Sequence, residues 1–235
     1  MGMTTQAAWV RPRDVRPRPH PSELYEVALR TPAVGLWAVH PAGRGLLPVD
    51  QWLGGLVPGD EAMVEACAGP TLDVGCGPGR IAAALVRRGV PALGIDVAAG
   101  AVLLARRAGA VALHRDVFGP VPGAGDWREI LLADGNIGIG GDPVRLLSRV
   151  ATLLARDGRA LVELDAPGRP TRSYLATLEA AGVTSAPFRW AAVGVDGIGP
   201  VAEAAGLAVT GVSERAGRYF AGLGPAGRPR PGTAE

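Results

Sequence analysis

Residues 71–80 read Thr-Leu-Asp-Val-Gly-Cys-Gly-Pro-Gly-Arg. A short apolar run (Thr71, Leu72, Val74) carries one acid, Asp73. It leads into glycines at alternate positions, Gly75, Gly77 and Gly79, and then into a helix-like run over 80–88. Only residues without Cβ turn a chain this sharply and let a ligand touch backbone. The stretch therefore predicts the first strand, turn and first helix of a nucleotide-binding α/β unit. The glycine spacing narrows the nucleotide. A dinucleotide fingerprint reads G-x-G-x-x-G. Counted from Gly75, its third glycine falls at position 80, where Arg80 stands. The pattern is D-x-G-x-G-x-G instead, a turn with no pyrophosphate to cradle.

Outward from this turn the chain alternates strand and helix signals. Strands are expected at 71–75, 92–96, 110–114, 130–133 and 160–164, and helices at 80–88 and 98–108. A further helix starts at Asp142 as N-cap with Pro143 at N1, Gly158 marking its stop. Such alternation argues a mostly parallel sheet covered on both faces. A helix over 197–205 and two strands, 207–213 and 217–223, close the pattern. Residues 165–195 fit either a helix or a hairpin of 172–178 with 187–194. Phe188, Trp190 and Val193 favour the hairpin. Toward the N-terminus, Ser22 is the expected N-cap of a short helix, and Asp60 the N-cap of another over 61–68.

Composition sets bounds. A chain of 235 residues with 48% hydrophobic content is expected to form one domain with a sizeable core. Its 35 glycines and 21 prolines follow no repeat period. The net charge is +2 and every basic side chain except the histidines is Arg, which argues against nucleic acid as partner and suggests a GC-rich bacterial genome. Two cysteines, Cys67 and Cys76, are too few for a disulfide framework or a zinc site, so no metal is expected. No signal peptide or membrane-length apolar run is visible, which points to the cytoplasm. Residues 1–21 and 224–235, rich in Pro, Arg and Gly, are expected to be disordered.

The 71–79 segment resembles motif I of the class I S-adenosylmethionine (SAM) methyltransferases. The stretch from Thr71 to about Leu164, with the glycine-dense loop 133–142, is similar to an actinobacterial group of them. The resemblance implies a Rossmann-like α/β fold: a mostly parallel seven-stranded sheet, helices on both faces and an antiparallel last strand. It implies SAM as cofactor and a methyltransferase domain over 22–223, with an N-terminal helical extension (22–70) and a substrate-side insert (165–195). In open α/β sheets ligands bind at the carboxyl ends of strands, and the resemblance distributes roles there. Gly75, Cys76, Gly77 and Gly79 would approach the cofactor, with Asp73 orienting its ammonium. Asp96 would accept both ribose hydroxyls, and Val97 and Ala98 would flank the adenine. Asp116 and Val117 would meet the adenine edge, and Asp134, in the loop where the methyl group emerges, would also bind the cofactor.

The expected reaction is methyl transfer to an O, N or C nucleophile of a small molecule by in-line displacement, in a monomer or homodimer. An alcohol acceptor needs a general base. His40 is the best candidate; Asn136, Arg189 and Trp190 are candidates for the substrate pocket. Three rivals stand beside this reading. A nicotinamide oxidoreductase wants glycine at position 80 and a catalytic lysine, and the chain has neither. A non-catalytic SAM-binding partner protein fits the same acids. An RNA or protein methyltransferase would need a concentrated basic groove.

Overall fold

The computed structural model describes residues 17–227. The expected disorder of 1–16 and of 228–235 lies outside them. In chain order the elements are α1 (Pro21–Arg30), β1 (Trp37–His40), β2 (Gly43–Leu46), α2 (Val49–Leu53), α3 (Asp60–Ala66), β3 (Thr71–Val74), α4 (Arg80–Arg87), β4 (Ala92–Asp96) and α5 (Ala99–Arg107). There follow β5 (Ala112–His114), β6 (Trp127–Leu132), α6 (Pro143–Leu153), β7 (Leu154–Leu164), β8 (Arg172–Ala180), β9 (Val183–Thr184), β10 (Phe188–Ala192), α7 (Ile198–Ala204), β11 (Leu207–Arg215) and β12 (Arg218–Pro225).

Seven strands form the main sheet in the order β11-β12-β7-β6-β3-β4-β5. Every pairing from β7 to β5 is parallel, and β12 runs antiparallel to both its neighbours. The last strand is thus the one reversed strand, as expected from the resemblance. Leu72, Ile130, Leu132 and Val162 are fully buried between the central strands and α6, whose Leu146, Leu147, Val150 and Leu153 are also 0% exposed. At roughly 1.5–3 kcal/mol per fully buried aliphatic side chain, this layer dominates the stabilisation. Asp142 caps α6 as expected, its carboxylate accepting the Arg145 amide at 3.0 Å with Pro143 following.

The N-terminal segment and the insert join in a second sheet, β10-β8-β1-β2, with β9 beside β8. The hairpin reading of the insert is correct: Trp190 pairs with Tyr174 and Phe188 with Ala176. A helical pattern would group Leu175 with Tyr174 and Leu178, but the strand sends Leu175 to the surface at 57% exposure. The N-terminal stretch is not helical alone. β1 lies against β8, Ala38 opposite Leu178. Gly43 and Gly45 weakened the strand signal of β2, whose residues are exposed throughout.

Two caps differ from expectation. His20 caps α1 through the Ser22 amide, while Glu23 reaches back to the His20 amide at 2.7 Å. Ser22 sits inside the helix because Pro21 takes its first position. Gly59, at φ 96°, precedes α3, and Asp60 is its first residue. The Asp60 carboxylate is drawn instead to two arginines.

Candidate functional site

The carboxyl ends of β3, β4 and β6 open into one cavity of about 550 Å³, closed over by α1, α2 and one face of the second sheet. The volume lies within the range of small-molecule and cofactor sites.

The glycine turn forms the floor. Gly75 and Gly77 have φ of 71° and 54°, a region that favours glycine. A Cβ on Gly75 would stand 2.7 Å from the Asn136 amide nitrogen, and one on Gly77 would stand 2.9 Å from the Tyr25 hydroxyl. Their backbone therefore faces the cavity bare. Gly79 serves packing: it caps α4 at φ 85°, its missing Cβ leaving room for Ala105 of α5. It does not line the cavity, and neither does Asp73. Asp73 is buried beneath the turn, where burial first, and then Asp134 and Asp96, push its carboxyl up to about 7 against the pull of Arg80.

Asp96 ends β4 and lines the cavity at 8% exposure. Its oxygens accept the Gly77 amide at 2.9 Å and the Ala98 amide at 2.8 Å. Burial raises its pKa, while these amides favour the charged form. One carboxylate thus fixes both the glycine turn and the start of α5. Val97, Asp116 and Val117 line the same end, as does Cys76, whose thiol burial keeps protonated. Asp116 accepts the Phe118 amide at 2.9 Å. Arg149, not anticipated from sequence, donates to the Val117 and Gly119 carbonyls at 2.9 and 2.7 Å and so holds this loop.

Asp134 follows β6 with φ 52°, a strained angle for a residue with a side chain. Arg80 holds it with two bonds of 2.6 and 3.0 Å and holds Asp60 with two more of 2.8 and 2.9 Å. Arg218 of β12 bonds Asp60 at 2.7 Å and Glu163 at 2.8 Å. Asp60 is 0% exposed. Burial raises its pKa, but the Arg80 and Arg218 bonds outweigh this and lower it. Position 80, informative in sequence because it is not glycine, is here the hub of a buried ion cluster. No local pattern announces Arg218, 158 residues from Asp60.

Asn136 lines the cavity, but its amide nitrogen is committed to the Val74 and Gly75 carbonyls at 2.9 and 3.0 Å. It braces the turn. The glycines after it, Gly138 and Gly141, leave no room for Cβ because the backbone of β10 docks on them. That docking brings Trp190 to the cavity. Arg189, its neighbour on the strand, points to the other side and is exposed, so its expected place in the pocket is corrected by the alternation of β10.

His40 lines the cavity 5.1 Å, ring to ring, from Tyr174. Its Nδ1 accepts the Ala42 amide at 3.3 Å, so in the neutral ring Nε2 carries the proton. His20 is ordered rather than part of an arm; it also lines the cavity, with Nδ1 held by Ser22. His114 faces the Val97 carbonyl at 2.9 Å outside it. Sequence reasoning missed Tyr25. Its hydroxyl has no hydrogen-bond partner among the described residues and stands over Gly77. Burial, then Asp96, Cys76 and Asp134, hold its pKa well above the ordinary phenol value. It is a neutral donor left open to the cavity. Trp37 lies outside the cavity under the Arg44 guanidinium, 3.8 Å from its ring centre, whereas Trp52 lines it beside Tyr25.

No family model matches the sequence, and no curated protein matches it. Solved structures do. A SAM-dependent methyltransferase from Bacteroides fragilis, in complex with S-adenosylhomocysteine, is 18% identical over 89% of this chain and 95% of its own, with a TM-score of 0.73. A TehB-like SAM-dependent methyltransferase from Corynebacterium glutamicum is 20% identical over 86% and 96%, at 0.53. The 1,6-didemethyltoxoflavin-N1-methyltransferase of Burkholderia thailandensis, with bound 1,6-didemethyltoxoflavin and S-adenosylhomocysteine, is 17% identical over 71% and 76%, at 0.51. The fold is that of the class I SAM-dependent methyltransferases.

Proposed function

We propose that this chain, built on the class I methyltransferase fold, moves a methyl group from SAM to a small molecule. The observation that carries the reading is the Asp96 carboxylate, set across the bare glycine turn at the carboxyl end of the sheet. The donor set suits the cofactor. Asp96 retains lone pairs for ribose hydroxyls, Asp116 and Val117 bound the adenine end, and the unpartnered Tyr25 hydroxyl faces the methionine end. Asp73 and Gly79 act from behind the turn. When bound, SAM supplies a methyl carbon activated by its sulfonium. Residues 22–223 form the domain, with 22–70 and 165–195 shaping the acceptor side.

With SAM held there, the acceptor's nucleophile would take the methyl carbon as the carbon–sulfur bond opens toward sulfur, and a nitrogen acceptor would then give up its proton to water. The protein's part is placement and exclusion of water, which supplies up to about 7–11 kcal/mol of such a barrier. The Nδ1 lone pair of His40 is taken by the Ala42 amide. Asp134 is spent on Arg80 and Arg218. The arrangement favours a nucleophile needing no base, such as a neutral nitrogen, over an aliphatic alcohol. No helix among the described residues is long and apolar enough to cross a membrane. The cytoplasm is the proposed location.

Thermal unfolding with each candidate cofactor tests the reading. SAM at 100 times its dissociation constant adds about 2.7 kcal/mol and raises the midpoint, while NAD leaves it unchanged. A shift with NAD alone would return the oxidoreductase reading.

A further inference from the structure

We propose that the acceptor is an uncharged, planar aromatic or heteroaromatic molecule. This rests on the methyl-transfer reading and names its substrate class. The chain has five Trp, three Tyr and three Phe, and five of these line the one cavity: Tyr25, Trp52, Tyr174, Phe188 and Trp190. They come from α1, α2, β8 and β10 and are locked in place by pairs. Tyr25 meets Trp52 edge to face at 5.9 Å and 82°, and Phe188 meets Trp190 likewise at 6.0 Å and 79°. Tyr174 leans on His40. Rings held by other rings are pre-organised surfaces, so a flat guest stacks on them at little entropic cost.

Charge separates the two ends of the cavity. Its charged lining residues, Arg80, Asp96, Arg115, Asp116 and Asp134, all follow the glycine turn or the ends of β4, β5 and β6. The N-terminal elements and the second sheet contribute aromatic and aliphatic side chains, two histidines and Ser22, but no Arg, Asp or Glu. A carboxylate or phosphate on the acceptor would meet no Arg there, only neutral donors such as Ser22 and Tyr174 and the two histidines, so its lost hydration is poorly replaced. A flat uncharged ring loses nothing of that kind. Its polar atoms meet the Tyr174 hydroxyl and the His40 N–H at the edge of the site.

The test is calorimetric titration of the whole chain, saturated with S-adenosylhomocysteine, with three matched probes. These are an amino-substituted bicyclic heteroaromatic, its carboxylic acid derivative and its ring-saturated counterpart. The amino heteroaromatic is expected to bind at least tenfold more tightly than either other probe and to be the one methylated when SAM replaces the product. Trp190→Leu, and independently Trp52→Leu should the first variant not fold, weakens that binding about three- to tenfold. In Trp190→Leu the affinity for S-adenosylhomocysteine stays within twofold. Equal or tighter binding of the acid or the saturated probe overturns the proposal. So does failure of all three probes while S-adenosylhomocysteine binds, an outcome that leaves the methyl-transfer reading standing. Absence of S-adenosylhomocysteine binding removes both.

Discussion

Asp96 and Gly77 stand 19 residues apart and touch through one hydrogen bond; Trp190 and Trp52 share a cavity from opposite ends of the chain. The first pair belongs to a half of the site made of strand ends, glycines and charges. The second belongs to a half made of rings carried by α1, α2 and a five-strand sheet whose members come from 37–46 and 172–192. The charged half offers backbone and carboxylate, and each of its groups is held by several others. The aromatic half offers surface area. A fold can keep the first constant for one donor while the second changes with the acceptor.

The same difference decides what was legible. The strand–turn–helix at 71–87 is local: Asp73, the three glycines and Asp96 are readable because backbone geometry dictates their types and spacing. The reversed last strand, β12, was implied by the resemblance, and the hairpin of 172–192 followed from Phe188, Trp190 and Val193. Tyr25 was not legible, because a tyrosine on an amphipathic helix carries no sign of what it will stand over. Asp60 read as a cap because no local pattern announces Arg80 and Arg218 as its partners. Gly138 and Gly141, in the glycine-dense loop 133–142, make room for β10, a contact set by tertiary docking alone. Arg189 and Trp190 were taken together, though neighbours on a strand face opposite ways.

Substitutions sharpen the contrast between a half that is structural and a half that is a surface. Arg80→Met in the charged half leaves Asp60 and Asp134 partly uncompensated. It is expected to cost about 3–5 kcal/mol in urea unfolding. A loss below 1 kcal/mol would mean the cluster is not a structural element.

Asp73 is next. Its folded pKa of about 7 lies above its unfolded value of about 3.9, so the folded chain holds the extra proton between those values. Its contribution to stability is therefore greatest below about pH 4, declines as pH rises toward 7 and levels off beyond. Asp73→Asn removes that decline. Between pH 5 and 8 the variant should lose about 2.5 kcal/mol less than the parent chain. Parallel pH profiles for the two proteins would contradict this.

Tyr25→Phe has the smallest effect on the fold. The hydroxyl has no partner to lose, so the unfolding midpoint stays where it is. The affinity for S-adenosylhomocysteine falls about fivefold, the worth of one neutral hydrogen bond. A drop in stability with unchanged affinity would place Tyr25 in the core rather than the site.

The division itself is tested most directly by titrating S-adenosylhomocysteine into Asp96→Ala and Trp190→Leu side by side with the parent chain. One site is expected on the parent, with at least tenfold weaker binding to Asp96→Ala, which lacks the carboxylate proposed to accept from the ribose, and binding within twofold of the parent for Trp190→Leu. Unchanged affinity in Asp96→Ala, or an equal loss in both variants, would contradict it.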